Sequence, residues 1–194
     1  MIVIDGARFA SLPQERVAEL GLRDGLEVGE ATMDRMRIIA DQEGAYRRAM
    51  RLLAARPRAT HELLRRLKLA GHNPSAAAHA VGRLEGQGLL DDAEFARHFA
   101  RTRAPRGHAP GRLLRDLLAR GVERRTAELA IAETQEAEGT DPSAQAEALA
   151  RRRAAQLTKL DDDAKLRRIV GYLGRRGFVG GDVVAMVRKI VRGA

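Results

Sequence analysis

A leucine pattern that ends on a glycine recurs three times along this chain of 194 residues and constrains its fold more than any other feature. The closing glycines are Gly71, Gly121 and Gly177, which lie 50 and 56 residues apart. The apolar residues at positions −8, −7, −4 and +10 from each glycine are Leu63, Leu64, Leu67 and Val81; Leu113, Leu114, Leu117 and Ile131; Ile169, Val170, Leu173 and Val187. Such spacing is typical of one face of an α-helix, so its recurrence predicts three tandem three-helix repeats.

Composition agrees with a mainly α fold. Aromatic residues make up 3% of the chain and tryptophan is absent, which disfavours the β-rich folds that depend on aromatic and β-branched side chains. Because stacked repeats contact mainly their neighbours, we expect an elongated, slightly curved array.

A small extension precedes the repeats. Residues 1–4 and 8–11 alternate apolar and polar around Asp5-Gly6, which predicts a β-hairpin. Ser11, followed by Pro13 and Glu15, predicts a capped short helix that runs to Leu20. The predicted divisions are the acidic extension 1–31, repeat one at 32–90, repeat two at 91–139 and repeat three at 140–194.

Local signals define the helices within the repeats. A helical run from Thr32 ends before Pro57, with Gly44 expected to weaken or bend it. Asn73 or Ser75 is expected to cap a later helix. The first helices of the repeats are predicted at about 45–55, 92–104 and 143–157.

A predicted hinge joins repeats one and two at residues 88–92. A left-handed Gly88 would close one helix, Leu89 and Leu90 would fold back onto the core, and Asp91 or Asp92 would cap the next helix.

Positive charge is concentrated in the predicted repeats. The formal net charge is +9, of which residues 1–44 contribute −4, residues 45–138 contribute +7 and residues 139–194 contribute +6. A basic surface attracts polyanions, either nucleic acid or an acidic protein groove, although a solvated arginine-rich face is an equally simple explanation. The acidic residues 1–44 are expected to be an accessory module rather than the main binding surface.

The arginines recur on the helix faces opposite the leucines. At about 100° per residue, the positions that hold arginine before each closing glycine lie away from the −8, −7 and −4 positions. The predicted basic face comprises Arg65, Arg66, Arg101, Arg103, Arg112, Arg115, Arg120, Arg167, Arg168, Arg175 and Arg176.

Catalytic chemistry is not predicted. The chain has no cysteine, its five histidines do not form a metal-binding pair on a helix, and the glycines at 171, 174 and 177 match no nucleotide-binding motif. Asp161, Asp162 and Asp163 are expected to begin a helix rather than to bind a metal. We therefore expect no catalytic residue, cofactor or metal, and the absence of a signal peptide or membrane segment predicts a cytoplasmic protein.

Residues 83–96, which read RLEGQGLLDDAEFA, resemble the signature of the RecX family, the bacterial regulators of the RecA recombinase. The resemblance continues through Arg101, Arg103, Gly107 and residues 113–122, and covers roughly residues 45 to 135 well. It implies a protein that acts in DNA repair, recombination and the SOS response.

In the function that this resemblance implies, the protein lies in the groove of the RecA filament on single-stranded DNA. It would inhibit the ATPase, strand-exchange and coprotease activities of RecA. The arginine face separately predicts weak, sequence-independent binding to single-stranded DNA, and we expect a monomer that does not bind membranes. Two alternatives remain: a sequence-independent or repressor-type DNA-binding protein that acts without RecA, and a metal- or nucleotide-dependent enzyme. Against a repressor, the third helices at 75–87 and 124–136 are poor in the side chains that read bases.

Overall fold

A computed structural model describes residues 1–139 and 141–193, which form ten α-helices and one two-stranded sheet. They divide into two compact units, Met1–Asp91 and the chain from Asp92 onward. The division falls one residue from the predicted boundary between repeats one and two. Thr140, the predicted start of repeat three, lies outside the described residues. The repeat boundaries stay a prediction.

The first unit begins with the predicted hairpin. Strands β1 (Ile2–Ile4) and β2 (Ala7–Ala10) pair antiparallel. Asp5 and Gly6 between them have φ values of 50° and 78°, as a two-residue type I′ turn requires. The Asp-Gly signal therefore predicted the turn correctly.

The short helix α1 (Gln14–Glu19) corrects one prediction. Its N-cap is Pro13, which provides no side-chain cap, so Ser11 does not cap this helix. Ser11 lies two residues before the N-cap, and its carbonyl oxygen instead accepts a hydrogen bond of 2.8 Å from Arg47 Nη1. That bond connects the extension to the next helix.

Helix α2 (Glu30–Ala55) agrees with the predicted helical run, and the predicted first helix of repeat one is its second half. It begins two residues before Thr32 and continues through Gly44 without interruption. A Cβ atom at Gly44 would lie 3.4 Å from the His72 ring, and His72 Nδ1 lies 2.6 Å from Asp41 Oδ1. Gly44 thus lies next to the His72 ring and does not interrupt the helix.

The rest of the first unit is α3 (Thr60–Leu69) and α4 (Pro74–Gly86). Of the two predicted caps, Asn73 is the N-cap of α4, because its Oδ1 accepts a 3.0 Å hydrogen bond from the Ser75 backbone N–H. The buried core of the repeat comprises Ala45, Ala49, Leu63, Leu67, Ala77, Ala80, Val81, Leu84 and Leu90.

The second unit contains two further groups of three helices. The first group is α5 (Asp92–Arg103), α6 (Pro110–Leu118) and α7 (Arg124–Glu138), with a 3₁₀ turn at Ala104–Arg106. The second group is α8 (Pro142–Ala154), α9 (Asp162–Arg175) and α10 (Gly181–Arg192). Asp161 caps α9, since its Oδ1 accepts a 2.7 Å hydrogen bond from the Ala164 N–H. The mainly α fold with tandem three-helix groups and a small hairpin is confirmed.

The three closing glycines share one conformation. Gly71, Gly121 and Gly177 have φ values of 90°, 84° and 91°, in the left-handed region that favours glycine. The residue after each glycine donates its N–H to the carbonyl oxygen five residues earlier: His72 to Leu67 (3.3 Å), Val122 to Leu117 (3.2 Å) and Phe178 to Leu173 (3.1 Å). The same Schellman closure therefore ends α3, α6 and α9.

Candidate binding surface

The predicted basic residues lie at the surface of their units but differ in exposure. Arg65, Arg66, Arg101, Arg115, Arg167, Arg168 and Arg175 are exposed, whereas Arg103, Arg112, Arg120 and Arg176 are half-buried. The leucine face is separate, because the −8 and −4 residues of all three repeats are at most 2% exposed. The two faces of each helix are therefore distinct in the structure.

Two of the half-buried arginines stack on one aromatic ring. The guanidinium carbons of Arg103 and Arg120 lie 3.9 and 4.8 Å from the centroid of the Phe99 ring. Arg120 also donates a hydrogen bond to the Asp116 carbonyl oxygen. Burial and the nearby positive charge of Arg120 lower the pKa of Arg103. These contacts hold both side chains within the fold and restrict their access to a partner.

The other two half-buried arginines connect α6 to the end of α9. Arg112 donates a hydrogen bond from Nη1 to the Arg175 carbonyl oxygen, and the Ala109 N–H donates to the Arg176 carbonyl oxygen at 2.9 Å. Both bonds satisfy carbonyl groups that a helix end otherwise leaves without partners. The Arg176 guanidinium lies 4.1 Å from the centroid of the Tyr172 ring.

Exposed arginines of the predicted face differ in their acidic partners. Arg66 Nε donates to Glu62 Oε1 at 3.1 Å, and Arg101 Nη2 donates to Glu94 Oε1 at 3.1 Å. Within the described residues, Arg65 and Arg115 form no ion pair. These two side chains occupy the same position, six residues before Gly71 and Gly121, and are exposed positive charges in repeats one and two.

A buried ionic cluster in repeat one was not predicted. Arg58 and Glu62 are 8% and 7% exposed. Glu62 Oε1 accepts hydrogen bonds of 2.6 Å from Arg56 Nη2 and 2.6 Å from Arg58 Nη1, besides the bond from Arg66. Burial alone would raise the pKa of Glu62, but the hydrogen bonds from Arg66, Arg56 and Arg58 together lower it. The sequence signal was a carboxylate at −9, where the other two repeats have arginine.

The predicted hinge is partly corrected. Gly88 is left-handed, with φ of 66°, and Leu90 is 6% exposed in the core of repeat one. Leu89, however, is 50% exposed and is not a core residue. Its N–H donates to the Leu84 carbonyl oxygen at 2.9 Å, and this closure turns the chain so that the next side chain packs inward. Asp91 directly precedes α5 and Asp92 is its first residue.

The described part of the chain offers neither a metal site nor a membrane span. Over residues 1–139 and 141–193, no group of three or more His, Asp or Glu side chains is placed to hold a metal ion. None of the described helices is long and apolar enough to cross a bilayer. The repeated helices and the surface arginines are the features that characterise this protein.

The fold and surface define a tandem three-helix-repeat protein with arginine-rich outer faces. Two family models match it, described as the first three-helix domain of RecX at residues 45–84 and the second three-helix domain of RecX at residues 91–131. The regulatory protein RecX of Halorhodospira halophila is 36% identical over 146 residues, which are 75% of this chain and 88% of that protein. The chain belongs to the RecX family.

Other relatives and solved structures agree. The regulatory protein RecX of Amycolatopsis mediterranei is 30% identical over 142 residues, or 73% of this chain and 79% of that protein. A crystal structure of regulatory protein RecX has a TM-score of 0.73 at 20% identity and covers 95% of this chain and 90% of that one. The crystal structure of RecX from Lactobacillus salivarius has a TM-score of 0.63 at 18% identity, over 79% and 98% of the two chains. These two likenesses support the fold.

Proposed function

We propose that this protein binds the RecA filament on single-stranded DNA and inhibits its ATPase, strand-exchange and coprotease activities. The observation that carries the proposal is membership of the RecX family, whose relatives are named regulatory proteins. The protein acts by binding, as a monomer and without catalysis of its own. Weak, sequence-independent contacts with single-stranded DNA add to the interaction with the protein filament.

The arginines of the helix faces support such a partner. Arg65 and Arg115 are exposed, have no acidic partner among the described residues, and occupy matching positions on α3 and α6. A filament presents the same surface repeatedly, so a chain of similar modules can contact it at several points. Linked weak contacts raise the overall affinity by about 10²–10⁴ when the geometry allows simultaneous binding.

A repressor that acts without RecA is less well supported by the geometry. Arg83, the one arginine of helix α4, donates to Glu43 at 2.9 Å, and its guanidinium carbon lies 3.9 Å from the centroid of the Tyr46 ring. In α7, Arg124 pairs with Glu128 at 3.2 Å. These third helices would have to read bases in a helix-turn-helix, yet these two arginines are already engaged.

The test is the ATPase of RecA on single-stranded DNA, titrated with the full chain. We expect ATP turnover to fall as the protein approaches stoichiometry with RecA. The double variant Arg65→Glu, Arg115→Glu should need a concentration at least about tenfold higher for the same inhibition, because two favourable charges become repulsive. The matched control is Arg124→Glu, Arg125→Glu, which makes the same charge change at the start of α7, where acidic residues are favourable.

Full turnover at a stoichiometric excess of the parent protein would overturn the proposal. Equal loss of inhibition in the two double variants would show that overall charge, rather than the Arg65 and Arg115 faces, governs binding. Tight binding to one duplex sequence over random duplex, with RecA unaffected, would favour the repressor.

A further inference from the structure

Four arginines converge on a cleft of repeat three. The cleft has a volume of about 330 Å³ and is lined by Arg153, Arg167, Arg168, Gly171 and Arg175. Arg153 lies on α8 and the others on α9, whose exposed face thus holds three positive charges within nine residues. Among the described residues, no carboxylate lines the cleft.

These four arginines surround one cleft and have no acidic partner among the described residues. Over the described residues, none of the four forms an ion pair, whereas Glu43, Glu62, Glu94 and Glu147 each hold at least one arginine elsewhere. Within the described residues, Arg153 Nη1 donates to Gln156 Oε1 at 2.8 Å, while its buried Nε has no hydrogen-bond partner. Four like charges around one cleft repel each other, so an anion that enters the cleft is stabilised.

Gly171 opens this cleft in repeat three. It lies six residues before Gly177, the position that Arg65 and Arg115 hold in the other two repeats. A Cβ atom on Gly171 would lie 3.7 Å from Arg175 Nη1, so a long side chain there would occupy the cleft. At this position repeat three therefore has a glycine and open space between arginines, where the other two repeats have an outward-facing arginine.

We propose that this arginine cleft binds a diphosphate or triphosphate group, either as inorganic pyrophosphate or as the phosphate chain of a free nucleotide. Guanidinium groups bind phosphate oxygens through paired, charge-assisted hydrogen bonds. Pyrophosphate concentrates several negative charges on the oxygens of two linked phosphate groups, which suits four positive charges around one small volume. A DNA strand instead carries one charge per nucleotide along its length.

The cleft recognises phosphate rather than a base. No aromatic side chain lines it, and the nearby Tyr172 ring already contacts Arg176 at 4.1 Å and Arg153 at 5.6 Å. A nucleobase therefore has no free ring on which to stack. Adenosine diphosphate should accordingly bind no more tightly than pyrophosphate does.

The experiment is isothermal titration calorimetry of the full chain with inorganic pyrophosphate, in low salt and without divalent cations. We expect saturable binding of one pyrophosphate per chain. The variant Arg167→Gln, Arg168→Gln should weaken binding by at least about tenfold, because a hydrogen bond to a charged group contributes roughly one order of magnitude in affinity. The control variant Arg124→Gln, Arg125→Gln removes the same charge from α7 and should bind pyrophosphate as the parent does. Circular dichroism checks that both variants remain folded.

Two further titrations identify the source of the phosphate. If adenosine diphosphate displaces pyrophosphate and shows the same loss in the Arg167→Gln, Arg168→Gln variant, the cleft binds free nucleotides; if it does not compete, pyrophosphate itself is the ligand. Absence of saturable binding, or equal weakening in both variants, would overturn the proposal. Preference for oligothymidylate over pyrophosphate, dependent on the same two arginines, would also overturn it in favour of a DNA strand. RecA takes no part, so these outcomes are independent of RecA inhibition.

Discussion

Glu62 in repeat one and Arg168 in repeat three occupy the same position, nine residues before a closing glycine, in very different surroundings. Three arginines converge on the buried Glu62 carboxylate and donate hydrogen bonds to it. Around Arg168, arginines line an open cleft to which the described part of the chain contributes no carboxylate. One repeat thus has a carboxylate within its arginine cluster, whereas the other has an arginine cluster without one among the described residues.

The difference shows how one helical framework separates stability from binding. In the first cluster Arg58 is buried with Glu62 while Arg56 and Arg66 remain partly exposed, and the bonds to Glu62 fix the segment before α3, which is a structural role. In the arginine cleft the same residue type remains exposed on α9 and is available to an anion. Counting arginines along the sequence does not separate these roles, because the nearest carboxylate determines them.

The largest expected effect comes from Glu62→Gln. Removing the carboxylate leaves Arg58 buried without its charge partner, which costs about 3–5 kcal/mol in the free energy of unfolding. The measurement is urea unfolding followed by Tyr46 fluorescence in a Tyr172→Phe background, where Tyr46 is the remaining tyrosine of the two in the chain.

Asp34→Asn is the matched control for that measurement. It breaks an exposed pair with Arg37 in the same unit and should cost about 0–1 kcal/mol. Similar small losses of unfolding free energy in both variants would show that the Glu62 charge is not needed to keep Arg58 buried.

A second comparison uses the closing glycines of the same two repeats. Alanine at Gly71 or Gly177 must adopt a left-handed conformation, at about 1–2 kcal/mol each. At Gly177 the new Cβ would also lie 2.6 Å from the Arg112 Cβ, whereas Gly71 has nothing within 4 Å. We expect Gly177→Ala to cost a further ~1–3 kcal/mol through overpacking. Equal losses of unfolding free energy in Gly71→Ala and Gly177→Ala, measured by urea unfolding, would show that α6 shifts to accommodate the new Cβ at no cost.

Gly171→Glu is the counterpart of Glu62→Gln, because it adds a carboxylate to the arginine cleft of repeat three. Gly171→Ala should stabilise α9 by about 0.5–1 kcal/mol, because glycine in a helix interior is unfavourable. Gly171→Glu should add about 0–1 kcal/mol more through new ion pairs and should block pyrophosphate binding. Thermal unfolding and calorimetry of both variants test this, and a Glu variant less stable than the Ala variant would contradict the unpaired state of the four arginines.

The smallest expected effect is a pH dependence of the first unit. Because the folded pKa of Glu62 lies below its ordinary value of 4.5, its contribution is fully present above pH 4.5 and is lost as the pH falls through the folded pKa. At pH values below 4.5, the urea concentration at the unfolding midpoint reported by Tyr46 should therefore decrease. The decrease should be less steep in Glu62→Gln. Parallel pH profiles of parent and variant would remove Glu62 as the cause.

The sequence determined the repeated architecture because its signals are local. Periodic leucines predicted the buried positions, and Gly71, Gly121 and Gly177 predicted three helix ends. The structure shows all three in the left-handed conformation, which little but glycine adopts at low cost. The Asp5-Gly6 turn was equally readable. The −8, −4 and +10 positions of every repeat are buried as expected.

Only the tertiary structure decided which charges are available. Arg112 donates to a carbonyl 63 residues away, and Arg83 pairs with Glu43 40 residues away. Leu89 and Leu90 are adjacent apolar residues, yet one is half exposed and the other buried, because the chain direction after Gly88 selects which of them points inward. Helical periodicity specifies a face within one helix, whereas the partner of each side chain depends on how separate helices pack, so the arginine cleft could not be identified before the fold was known.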